Sequence, residues 1–155
     1  MQDPAEDIAE LARAGDWSRL LDLVVQRMAA DSGTLHLLGP DNLLHLTAAS
    51  ASIPAFVLET VRTVPIGKGM AGLAVERRQP VDACNIQTDA TGDVRPGARA
   101  TGLQGSIVVP LMHLDQAIGA LGVANRHERT FTDDEQQQLL EWGRRIAGVV
   151  AAEGR

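Results

Sequence analysis

The chain has 155 residues, a net charge of -6, 45% hydrophobic residues and only 3% aromatic ones, with no Tyr and a single Cys. That length and balance suit one globular domain with an aliphatic core, and they speak against a base-stacking or basic nucleic-acid platform. One cysteine excludes an internal disulfide and a multi-cysteine metal cluster.

The first residues, Met1-Gln-Asp-Pro-Ala-Glu-Asp7, are acidic and lack the basic and apolar regions of a secretory signal. No apolar run approaches the ~20 residues of a membrane span. A cytoplasmic setting without membrane contact is therefore expected.

In chain order, Pro4 to Ala14 reads as a helix with Ile8, Leu11 and Ala12 on one side and Gly15 as a stop. Asp16 offers an N-cap for a second helix, in which Leu20, Leu21, Val24, Val25 and Met28 recur at helical spacing. Thr34 to Leu38 and Leu43 to Ala49 are short apolar runs joined by Gly39-Pro-Asp-Asn42, a hairpin signal. His36 and His45 fall on these two strands and could face each other.

Pro54 interrupts the segment from Ala48 to Val64, which predicts no more than a helical turn over Ala55 to Val61. Pro65 to Gly72 is a glycine-rich turn opening a helix to about Arg77, followed by a short strand near Val81 to Cys84. Its Gly67-Lys-Gly69 lacks the spacing of a phosphate-binding P-loop, so helix opening and close packing explain it better. From Asn85 to Leu103 polar residues, Gly and Pro dominate, with a short helix expected over Val94 to Thr101. A connection this long in a compact domain usually carries function.

The centre of the chain is Ser106 to Asn125, two apolar runs joined at a tight corner from His113 to Gln116. Small residues in the second run (Gly119, Ala120, Gly122, Ala124) mark a close approach by a helix, a backbone or a ligand. Thr132-Asp-Asp-Glu135 then has the form of a capping box. The last helix, to about Ala152, presents Leu139, Leu140, Ile146, Ala147 and Val150 on one face.

The elements predict an α+β domain over residues 1–155, with helices in 1–30, sheet and pocket segments in 33–125 and a final helix over 132–152. A single central antiparallel sheet would carry the terminal helices on one face and a ligand pocket on the other.

Four blocks carry a family resemblance. They are Val64-Pro-Ile-Gly-Lys-Gly-Met-Ala-Gly72, then Cys84-Asn-Ile-Gln-Thr-Asp89, then Thr101 to Leu111, then Ile118 to Arg126 with Phe131-Thr-Asp-Asp-Glu135. In this order the chain resembles a GAF domain, the small-molecule sensor module of bacterial regulators and cyclic-nucleotide phosphodiesterases, here of the stand-alone bacterial, GAF/PAS-like type. The family's Asn-Lys…Phe…Asp-Glu signature is matched by Asn125, Arg126, Phe131, Asp134 and Glu135, with Arg126 in place of Lys. The resemblance implies a structural strut there, with Arg126 pairing to the acidic helix start.

The resemblance also implies a pocket roofed by Asn85 to Thr101 and floored by Ser106, Val108 and the Gly119 to Val123 run. Candidate ligand contacts are Asn85, Ile86, Asp89, Arg95, Arg99, Thr101, Ser106 and Val108. Arg95 and Arg99, four apart, could grip a carboxylate or phosphate if that segment is helical. A small polar metabolite or a nucleotide is the expected guest, and no cofactor is named.

Cys84 is the one weak catalytic candidate. The family includes free methionine-sulfoxide reductases, but these use more than one cysteine, so a buried structural role fits Cys84 better. The four histidines have no carboxylate at metal-ligand spacing, and no metal site is expected. The leading expectation is a sensory module that signals through its terminal helices, as a homodimer or through a separate output protein. A reductase-like enzyme and a structural dimerisation unit with a filled pocket are the alternatives.

Overall fold

The computed structural model describes residues 3–94, 99 and 101–154. In chain order the elements are α1 (Ala5–Arg13), α2 (Trp17–Arg27), β1 (Ser32–Leu38), β2 (Leu43–Ala49), α3 (Ala55–Val61) and β3 (Thr63–Pro65). They continue with α4 (Gly69–Arg77), β4 (Val81–Ala83), β5 (Ser106–His113), β6 (Gln116–Ala124) and α5 (Asp133–Ala152). The strands form one six-stranded antiparallel sheet in the order β3-β2-β1-β6-β5-β4. This is an α+β fold with the β5–β6 hairpin joining its two halves.

Strand alternation divides the sheet into two faces. On one face Leu35 of β1, Ile107, Val109 and Leu111 of β5, and Leu121 and Val123 of β6 are buried in one apolar cluster. Against them pack Ile8, Ala9 and Ala12 of α1, Leu20, Leu21 and Val24 of α2, and Leu139, Ile146 and Ala147 of α5. The helical periodicities of all three therefore converge on one side.

The helix ends are fixed as their residue types dictate. Asp16 Oδ1 accepts from the Arg19 amide at 3.4 Å, and Thr132 and Glu135 complete a reciprocal capping box at 3.1 and 2.9 Å. Asp3 Oδ1 accepts from the Ala5 amide and from Trp142 Nε1, tying the start of α1 to α5.

On the opposite face α4 covers part of the sheet, with Ala74 and Val75 buried against Leu44, Val64, Val108 and Ala120. Gly72 makes this close seat possible. A Cβ there would stand against the Pro65 carbonyl oxygen, well inside van der Waals contact. β3 is a three-residue edge strand that pairs with β2 from Leu43↔Pro65 to His45↔Thr63. It was not expected from the sequence, because three residues ending in proline carry no readable alternation. The short helix expected over 94–101 falls mostly on residues outside those described, Arg95 among them.

His36 and His45 do not face each other. His36 pairs with Leu46 and His45 with Leu37, so their side chains take opposite faces. His45 Nε2 meets Asp41 at 2.9 Å across its own hairpin, while His36 turns to the α4 side of the sheet.

Candidate functional site

The part of this second face that α4 leaves open is a cavity of about 270 Å³. Its floor is built by strand alternation: Ser32, Thr34 and His36 of β1, Gly122 and Ala124 of β6, and Ser106 and Val108 of β5. Ser32 lies beside Ala124, Thr34 beside Gly122 and Val108 beside Gly122, so these side chains rise from adjoining register positions. Gly122 keeps the floor low. A Cβ there would lie 3.0 Å from Val108 Cγ2 and 3.6 Å from Thr34 Oγ1.

One wall is Ile53 with Val57, Thr60 and Val61 of α3, and another is Val64 with Lys68, Gly69, Met70 and Ala71 at the start of α4. Ile86, Val94, Thr101 and Leu103 close the roof. Most of this lining is aliphatic. Its polar members are hydroxyls, His36, and Lys68, which is exposed.

Several of these polar groups are already engaged. Ser106 Oγ donates to Val123 O at 3.2 Å, and Thr101 Oγ1 accepts from the Leu103 amide at 3.0 Å. His36 Nε2–H donates to the Val61 carbonyl at 2.8 Å, which pins the end of α3 to the floor and leaves Nδ1 as the acceptor nitrogen. Burial pushes the His36 imidazole below its ordinary value, against the opposing pull of the Val61 bond. His36 Nδ1 and Ser32 Oγ are buried without a hydrogen-bond partner among the described residues.

Of the contacts expected from sequence, Ile86, Thr101, Ser106 and Val108 lie on the lining. Asn85, Asp89 and Arg99 are not among the described lining residues, and their polar atoms bind within the loop or, for Asn85 Nδ2, tie it to Glu128. Asn85 Oδ1 accepts from the Gln87 amide at 2.9 Å while its Nδ2 donates to Glu128 at 3.2 Å. Asp89 Oδ2 accepts from Thr91 Oγ1, and Arg99 donates to the Asp89 carbonyl at 2.9 Å. Arg95 lies outside the described residues. Within the expected floor run, Gly122 faces the cavity and Val123 borders it, although Val123, like Leu121, is buried in the cluster of the helix-covered face.

The sequence reading missed Ser32, Thr34, His36, Lys68 and the α3 wall. The first three were detectable in principle, as polar residues at i, i+2 and i+4 of an otherwise apolar strand. Cys84 departs from expectation: it is exposed, not buried. Its sulfur lies 4.0 Å from Glu128 Oε2 and 3.7 Å from Thr130 Oγ1, with no cation of the kind that activates a thiolate in these contacts.

The expected strut is present but uses a different arginine. Arg126 is exposed, and its backbone amide donates to Asp31. Arg129 instead binds Glu135 Oε2 at 2.6 Å, Asn125 Oδ1 at 2.8 Å and Ala29 O at 3.3 Å, with its guanidinium 4.3 Å from the centre of the Phe131 ring. The Thr132 amide first, and Arg129 next, hold the Glu135 carboxyl below its ordinary range.

A family model described as GAF domain matches residues 17–151. The chain belongs to the GAF domain family. Among solved structures, the GAF domain from an Acinetobacter phosphoenolpyruvate-protein phosphotransferase is 20% identical, with a TM-score of 0.76 over 99% of this chain and 96% of that one. The type II free methionine-R-sulfoxide reductase from Thermoplasma acidophilum is 18% identical, with a TM-score of 0.70 over 94% and 96%. The free methionine-R-sulfoxide reductase from Neisseria meningitidis, solved with its substrate, is 17% identical, with a TM-score of 0.72 over 99% and 94%. At these identities the likeness establishes the GAF fold. No curated protein sequence matches the chain. Among the described residues no helix is long and apolar enough to cross a membrane.

Proposed function

We propose that this GAF domain is a sensory or regulatory module that binds a small molecule in the cavity between the sheet and the roof residues Ile86, Val94, Thr101 and Leu103. The observation that carries this reading is the cavity itself, which neither α4 nor bulky floor side chains fill. Its size is at the small end of ligand sites, and its few polar groups are set in an apolar wall. Ile86, Thr101, Ser106 and Val108 are the proposed contacts retained from the sequence, with Thr34, His36 and Val57 added.

Occupancy would act through the strands that serve both faces. Ser106 and Val108 border the cavity while Ile107 and Val109 pack under the terminal helices. A shift of β5 on binding would therefore reach α5, and through it a second copy of the chain or a separate output protein in the cytoplasm.

The reductase alternative has less support. The chain has one cysteine, and it is exposed and absent from the described lining. Thermal shift across a metabolite panel, with mass spectrometry of any co-purified molecule, tests the proposal. A ligand-dependent rise in Tm that Val108→Trp abolishes supports it, and no rise with any compound counts against it.

A further inference from the structure

We propose that the guest is an uncharged, largely apolar molecule of bicyclic aromatic size that carries one O–H or N–H donor. This rests on the reading of the cavity as a ligand site and departs from the polar metabolite or nucleotide expected from sequence.

Size comes first. An apolar cavity of roughly 150 Å³ accommodates benzene, so about 270 Å³ leaves room for a fused or substituted ring. Charge comes second. An ionised group removed from water needs an opposite charge or a full set of hydrogen bonds. Among the described lining residues the buried ones offer no charged side chain, and Lys68 is exposed at the rim. Of the described charged residues near the roof, Asp93 is paired with Arg77 at 2.9 Å, Arg99 donates to the Asp89 carbonyl, and the Asp89 carboxylate accepts from Thr91.

The donor follows from the floor. Ser32 is 2% and His36 3% exposed, both residues border the cavity, and Ser32 Oγ and His36 Nδ1 have no hydrogen-bond partner among the described residues. With its Nε2 proton committed to Val61, His36 offers only a lone pair. Leaving such a nitrogen buried and unsatisfied is costly, and an O–H or N–H on the guest relieves it. The hydroxyl of Ser32 can serve either as donor or as acceptor, so the histidine sets the requirement.

The test uses the full chain at pH 7.5 with three probes of one shape: indole, indene, which lacks the N–H, and indole-3-carboxylate, which adds a charge. Saturating indole is expected to raise Tm by about 5 °C or more. Indene should bind about tenfold more weakly, and indole-3-carboxylate should produce no shift. His36→Phe should erase the preference for indole over indene, with His36→Leu as a second variant should the first not fold, whereas Ser32→Ala should keep most of it.

Equal binding of indole and indene would overturn the donor requirement. Tighter binding of indole-3-carboxylate would overturn the uncharged class while leaving the cavity a ligand site, with Lys68 and the start of α4 as its anion grip. A flat response to every probe would overturn the proposed guest class, and if Val108→Trp were also strongly destabilised, its added ring finding no space above the floor, the ligand-site reading itself would fall.

Discussion

Replacing Arg129 with alanine should unfold the joint between the sheet and α5 more than any exposed arginine could. The side chain is only 13% exposed and serves four groups at once. Its bond to Glu135 is partly solvated, since the Glu135 side chain is 36% exposed, and contributes about 0.5–1 kcal/mol. Asn125 is 1% exposed, and losing the donor to its Oδ1 should cost about 1–2 kcal/mol. Ala29 O keeps Asn125 Nδ2 as a donor at 2.9 Å, so little is lost there. The stacking on Phe131 adds about 0.5–1 kcal/mol. Together these predict a loss of about 2–4 kcal/mol, or about 5–15 °C in Tm for a chain of this size.

Urea unfolding followed by the fluorescence of Trp17 and Trp142 would measure it. Arg129→Lys should recover less than half, because an ammonium cannot reproduce a planar fork. Arg126→Ala should change stability by less than about 0.5 kcal/mol. If Arg126→Ala proves as costly as Arg129→Ala, the assignment of the strut is wrong.

Three further outcomes follow from particular contacts. Burial lowers the folded-state value of His36, so the unfolded chain binds the proton first as pH falls below its ordinary 6.5. Stability should decline from about that pH down through the lowered folded value, and His36→Phe should flatten this part of a Tm-against-pH curve. Gly72→Ala should destabilise despite alanine's helix preference of about 1 kcal/mol, since the added Cβ meets the Pro65 carbonyl and must lift α4; a rise in Tm would contradict the close packing. Cys84→Ser, at an exposed position outside the described lining, should leave ligand affinity and Tm within error, whereas loss of binding would restore the thiol to the site.

How much of this was legible in the sequence depends on the kind of signal. The terminal helices and the two hairpins were readable because Leu20, Leu21 and Val24, or Ile107 and Val109, repeat at the period of their element. β3 was not, because its one buried residue, Val64, sits between two exposed ones in a strand too short to show alternation. α3 was reduced to a turn by Pro54, and its wall of Val57 and Val61 went unseen.

Within the site, Val108 and Ile86 were placed through the family resemblance, and Gly122 by its small size in a strand interior. Polar residues on the roof were harder. Asn85, Asp89 and Arg99 have the chemistry of ligand contacts, yet loop turns and carbonyls use the same donors and acceptors. Conversely, the alternation of Ser32, Thr34 and His36 marks one face of β1, but only the register, with His36 opposite Leu46 and not His45, shows which neighbours that face has.

The central claim is that the α4 side of the sheet holds an apolar chamber open to a guest. Methyl NMR of the chain under xenon pressure tests this without knowing the natural ligand, because xenon enters dry apolar cavities. The account predicts saturable shifts at Val57, Ile86, Leu103 and Val108 that disappear in Val108→Trp, with Leu35 and Leu139 unmoved. Shifts confined to the helix-covered face, or none at all, would contradict it.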